Sequence, residues 1–199
     1  MKVSKSDPAV SKKERNKTVR WVVTIFLATI VISGIISFVS DEVMSNSGIV
    51  TAFLILLLII CVGIIFDIIG MAVATADEKP FHSMAARKVP GAQAAIRLLR
   101  NAERVSSICN DGVGDICGVV SGAASATIAA QILQRMEFGW PQMISLLMSA
   151  FCAGLTVGGK AIGKTVAVNS ATEIVHSVGR LIHWLEHMPG LFRPKKKNK

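Results

Sequence analysis

A few residues in two apolar stretches of the chain carry chemistry that such stretches seldom hold. Asp67 interrupts a run that is otherwise apolar from Ile49 to about Ala76, and Asn110, Asp111 and Asp115 open a later one that continues to about Leu133. Asp111 and Asp115 stand four apart, so on an α-helix they share a face. Gly114, Gly118 and Gly122 form an adjacent row, with Ser121 and Ser125 beside it. At membrane depth a carboxylate costs roughly 2.5–3.5 kcal/mol on insertion scales unless it meets protein, water or a cation. Carboxylate, amide and hydroxyl oxygens suit a hard cation such as Mg2+ or Na+, and Mg2+ commonly keeps several waters while using one or two carboxylates. The expected metal ligands are therefore Asp67, Asn110, Asp111 and Asp115, with Ser121 in support.

A plainer reading accounts for part of this pattern. Asn110, Asp111 and Gly112 also read as the loop and cap of a helix, with Asp111 and Asp115 favouring its N-terminus electrostatically or pairing with Arg104 or Lys164. The glycine row taken alone reads as close helix packing.

The elements that must position these residues follow from the distribution of charge. Of 199 residues 51% are hydrophobic and only 18% charged. The charges gather at both ends and in one middle block, a polytopic membrane pattern. The net charge of +9 then points to an anionic lipid surface rather than to nucleic acid. Cys61, Cys109, Cys117 and Cys152 lie in or beside apolar runs at no zinc-like spacing, and read as small packing residues. The chain shows no nucleophile motif, P-loop or dinucleotide fingerprint, so neither enzyme activity nor an organic cofactor is expected.

Residues 1–20 form a basic tail, read as disordered at the membrane surface, and Trp21–Val39 a first span. After the loop Ser40–Gly48, the second run exceeds the bilayer thickness, so it must tilt or break near Asp67 and Gly70. Residues 77–108 are basic and contain an amphipathic helix from about Ala92 to Ser107, with Ala95, Ile96 and Leu99 on one side and Gln93, Arg97, Arg100, Asn101 and Arg104 on the other. It reads as lying in the membrane interface. A third span, about Gly112–Leu133, turns through Gln134–Trp140 into a fourth, about Pro141–Val157, and Gly158–Lys164 leaves the membrane. A second amphipathic helix follows, opened by a Ser170/Glu173 capping box and lined by Ile174, Val178, Leu181, Ile182 and Leu185. Residues 189–199 form a basic tail. The expected class is all-α, with four transmembrane helices and two cytoplasmic juxtamembrane amphipathic helices. Lys and Arg placement puts both termini in the cytoplasm, for a multi-pass protein of the plasma membrane.

Several stretches resemble the CNNM/CorB/CorC magnesium-transporter family. Phe66-Asp67-Ile68-Ile69-Gly70-Met71-Ala72-Val73 stands where the family has FFSxSETAL, and Ala94-Ala95-Ile96-Arg97-Leu98-Leu99-Arg100-Asn101-Ala102-Glu103-Arg104 is similar to its A-x-x-L-L-x-N-P-E-R. Gly112 stands at the glycine of GNN, and Gly159-Lys160-Ala161-Ile162-Gly163-Lys164-Thr165-Val166-Ala167-Val168-Asn169 parallels GEILPKALALRN. The resemblance implies a homodimeric CNNM-like domain over residues 49–188, an extra helix over 21–39 and Mg2+ transport or a cation-responsive function, without the paired CBS domains that usually follow. Asp67 takes the family's serine position, and Asp111 and Asp115 would stand in for its glutamate and asparagine ligands. Lys160, at the glutamate of the last motif, also allows a transport-inactive scaffold of the same fold. A positive charge there repels cations unless it pairs with Asp67 or Asp115.

Overall fold

The computed structural model describes residues 8–45, 47–135 and 140–187, and among these there is no strand. In chain order the helices are α1 (Pro8–Ser45), α2 (Ile49–Thr75), α3 (Lys79–Ala86), α4 (Ala92–Arg100), α5 (Ala102–Ser107), a π-helical turn (Ile108–Gly114), α6 (Asp115–Arg135), α7 (Pro141–Asn169) and α8 (Ala171–His187). Among the described residues four stretches are long and apolar enough to cross a membrane: Val22–Met44, Ile49–Thr75, Ala102–Gln134 and Gln142–Asn169. Phe26, Phe38, Leu54, Leu146 and Leu147 on these helices are largely exposed. Exposed apolar surface on this scale is compatible with an integral membrane protein, whose natural solvent is lipid.

The first helix is longer than expected. α1 begins at Pro8, within the stretch read as a disordered tail, and runs to Ser45 through most of the expected Ser40–Gly48 loop. Residues 1–7 of the basic N-terminal tail, the C-terminal tail 189–199 and residues 136–139 of the expected turn lie outside the described residues.

α2 is the helix around which the others gather, touching α1, α4, α5, α6, α7, α8 and the π turn. It does not break near Asp67 and Gly70 but runs on to Thr75. One glycine costs a helix only about 1 kcal/mol, and neighbours cover both positions.

α7 likewise continues through Gly158–Lys164, the expected exit, and ends at Asn169. Gly159 and Gly163, one turn apart, lie under Ile64 and Ile68 of α2. A Cβ on Gly163 would stand 2.8 Å from Ile68 Cγ1, and one on Gly159 would meet Ile64. The glycines admit the isoleucines, and this packing keeps the segment helical.

The expected Ala92–Ser107 helix divides at Asn101, whose backbone leaves helical values at φ −116° and ψ 28° and whose side-chain amide donates to Arg97 O at 3.0 Å. Such local bonds compete with the helical ladder. The predicted two-sidedness of α4 holds: Ala95 and Ile96 are buried while Gln93, Arg97 and Arg100 are exposed. Its apolar side is covered by protein, however, since α4 packs on α8. Gly91 (φ 86°) and Gly179 let the two backbones approach, a Cβ on Gly91 falling 2.5 Å from Arg180 N. On α8 the buried row is Ala171, Val175 and Gly179, leaving Leu181 and Leu185 of the expected apolar face exposed.

Two buried clusters result. One joins Ala72, Val73, Phe81, Ala95, Ile96, Ala167, Ala171 and Val175, where the ends of α2 and α7 meet α3, α4 and α8. The other joins Met44, Ala52, Leu56, Ile60, Ala124, Ile128 and Cys152 among the long helices. All four cysteines are free.

Candidate functional site

Between these clusters α2, α6 and α7 bring three charged side chains together. Lys160 Nζ lies 3.5 Å from Asp67 Oδ1 and 3.4 Å from Asp115 Oδ1. Asp67 is buried, its side chain only 8% exposed, and Lys160 is mostly covered at 21%, whereas Asp115 is 69% exposed. Two carboxylates facing one ammonium leave an excess of negative charge, open to the surroundings on the Asp115 side.

Small residues make this convergence possible. A Cβ on Gly114 would stand 3.1 Å from Asp67 Oδ1 and 3.5 Å from Lys160 Nζ, so the glycine provides the room in which they meet. One on Gly63 would lie 2.8 Å from Cys117 Cβ, which marks the close approach of α2 and α6. Lys160 itself sits between Gly159 and Gly163 on the seam against α2.

The segment leading into Asp115 is a π turn, in which the Asp115 N–H donates to Asn110 O, five residues back. The run Asn110-Asp111-Gly112-Val113-Gly114 consists of weak helix formers, which lowers the cost of the wider turn. π turns within helices are frequent at functional sites. Here the turn bears directly on the expected site, because the one-face relation of Asp111 and Asp115 assumed an uninterrupted α-helix.

The sequence-predicted ligands therefore part company. Asp67 and Asp115 converge on Lys160, the pairing considered for that lysine, and Asp115 pairs with it rather than with Arg104 or Lys164. Asn110 meets α2 at Gly70, with its Nδ2 3.3 Å from Ser106 Oγ. Asp111 is exposed and accepts a 2.8 Å hydrogen bond from Ser107 Oγ. Ser121 is buried, and its hydroxyl donates to Gly118 O at 2.9 Å within its own helix. Its carbonyl accepts from Cys152 Sγ at 3.4 Å. Ser125 similarly donates to Gly122 O at 2.8 Å. Of the expected glycine packing row only Gly114 is in close contact, as a Cβ on Gly118 or Gly122 would meet nothing within 4 Å. Among the described residues no three His, Cys, Asp or Glu side chains converge as a metal centre would need.

The π turn was not anticipated, although the Asn-Asp-Gly-Val-Gly run was its available signal. Ser107 was also missed, and one hydroxyl four residues before a carboxylate is too common a pattern to single out.

The fold and site thus define a protein all-helical over its described residues, compatible with an integral membrane protein, with an Asp–Lys–Asp cluster where three long helices meet. Compared with protein-family models, curated proteins and solved structures, the chain matches none.

Proposed function

We propose that this is a multi-pass membrane protein that binds a hard cation, Mg2+ in first place, between Asp67 and Asp115 in exchange for the Lys160 ammonium. The observation supporting this reading is the position of Nζ, 3.5 Å and 3.4 Å from the two carboxylates. Both separations exceed the roughly 2.7–2.9 Å of a tight charge-assisted bond. The ammonium holds the carboxylates together without saturating them, and its flexible stem allows it to withdraw. A Mg2+ ion that keeps most of its waters needs no more than these two carboxylates, and exposed Asp115 offers the approach.

In this reading residues 49–188 form a CNNM-like transmembrane domain, homodimeric in the plasma membrane with both termini cytoplasmic, and α3, α4 and α8 lie on the cytoplasmic side. Cation transport would use the Gly159/Gly163 seam and the π turn as the elements that rearrange. The test is thermal stability of the purified chain in detergent against millimolar Mg2+, Na+ and Mn2+. Cation-dependent stabilisation is expected, abolished by Asp67→Asn or Asp115→Asn and strengthened by Lys160→Met, which removes the competing charge. No stabilisation by any of these ions, in wild type or in Lys160→Met, overturns the proposal.

The same triad supports a second reading, a transport-inactive scaffold in which Lys160 clamps three helices. It is favoured by the burial of Asp67 against a lysine that already supplies the counter-charge. The clamp predicts that Lys160→Met destabilises the protein and that added cations restore nothing.

A further inference from the structure

Asp111 is the carboxylate that the Lys160 cluster does not use, and among the described residues it forms no ion pair. It stands at the edge of a groove of about 550 Å³ between α1 and the Ser107–Asp111 turn, lined by Val22, Phe26, Thr29, Ile30, Ser33, Ser107 and Asp111. That size falls within the roughly 300–1,000 Å³ of small-molecule sites. The groove follows about three turns of α1, inside the stretch Val22–Met44 that is apolar enough to cross a membrane.

We propose that this groove binds lipophilic monocations, ammonium or phosphonium ions with apolar substituents, with the charge on Asp111 and the apolar body against Val22, Phe26 and Ile30. The argument is charge complementarity in an apolar setting. A carboxylate in an apolar run is costly unless it meets a counter-charge, and a cation that partitions into lipid can reach this one at little cost in hydration. A strongly hydrated ion would find a single carboxylate and three hydroxyls here, and would face apolar walls that cannot replace its water. A diffuse cation gives up less hydration and gains from the Phe26 ring as well as from the carboxylate. Ser107, donating to Asp111 Oδ2 at 2.8 Å, fixes the carboxylate at the groove's edge and leaves its second oxygen for the ligand.

The test is equilibrium dialysis of the purified full chain in detergent with tetraphenylphosphonium and with tetraphenylborate, which has nearly the same shape and the opposite charge. The phosphonium is expected to bind saturably and the borate not. Asp111→Asn should weaken phosphonium binding by at least about tenfold, the equivalent of about 1.4 kcal/mol, while Asp111→Glu keeps it. Ser33→Phe, which fills the groove, should abolish binding, and Asp67→Asn should leave it unchanged, separating this site from the Lys160 cluster. Equal binding of both ions would mean that the groove takes acyl chains, and overturns the proposal. So does phosphonium binding that survives both Asp111→Asn and Ser33→Phe. Phosphonium binding recovered only when a dimer is dissociated would mean that a second copy covers the groove, and overturns it as well.

Discussion

Asn110 rests its side-chain oxygen on Gly70, so closely that a Cβ at position 70 would collide with it. That oxygen is buried and has no hydrogen-bond partner among the described residues. The contact is where the π turn lies on α2, three residues beyond Asp67, so it sets how the carboxylate-bearing helices cross. Gly70→Ala is expected to destabilise the protein by about 1–3 kcal/mol through overpacking. Asn110→Ala should be nearly neutral, because it removes an unsatisfied buried acceptor together with one long hydrogen bond. The double variant should recover most of the Gly70→Ala loss. Additive losses in a denaturation cycle would show that the two side chains do not meet.

The Asp67–Lys160–Asp115 cluster is asymmetric, and its energetics should be too. Lys160→Met leaves a buried carboxylate unpaired and is expected to cost about 3–5 kcal/mol. Asp115→Asn alters a mostly exposed partner and should cost less than about 1 kcal/mol. Lys160→Met combined with Asp67→Asn should restore much of the lost stability. Unfolding midpoints of the four proteins in detergent, without added divalent cations, check the order.

Glycines of α7 divide into two kinds. Gly163→Val is expected to disrupt the α2 seam by about 1–3 kcal/mol, since its side chain would run into Ile68 Cγ1, 2.8 Å from the Cβ position. Gly154 has nothing within 4 Å of its Cβ position, so Gly154→Ala should be neutral or stabilising by up to about 1 kcal/mol from helix propensity. Equal losses at both sites would argue that α7 packs through a different face.

Sidedness can be read by labelling single cysteines, in a background lacking the native four, with a membrane-impermeant maleimide. Ser47→Cys, between α1 and α2, is expected to react in intact cells. Ser83→Cys on α3 should react only after permeabilisation. The reverse pattern would invert the orientation drawn from the positive-inside rule.

Much of the architecture is legible in the residue pattern. Long uncharged runs mark α2, most of α6 and the first part of α7, because a helix of about 20 apolar residues matches the bilayer core. The two-sided pattern of α4 marks its buried face, because one stripe of a helix must be covered. The extent of α7 is not legible in this way. Its last third is rich in glycine and lysine and resembles an exit from the membrane, yet Ile64 and Ile68 of α2 pack on it. The break at Asn101 is equally hidden, since a helix interior tolerates asparagine at modest cost and only the local bond to Arg97 shows the choice.

The sequence by itself determined that the described residues are helical, with four stretches long and apolar enough to cross a membrane, because composition and period alone decide which segments bury their backbone polar groups in helices. It also singled out Asp67, Asp111 and Asp115, because a carboxylate in an apolar run needs a partner. Only the tertiary structure decided which partner each one has. Lys160 reaches Asp67 and Asp115 across the Gly159/Gly163 seam, and the π turn takes the place of the uninterrupted helix that would have kept Asp111 beside Asp115. Spacing along the chain specifies a helix face only while the helix keeps its pitch, and the packing of Asn110 on Gly70 lies where that pitch changes.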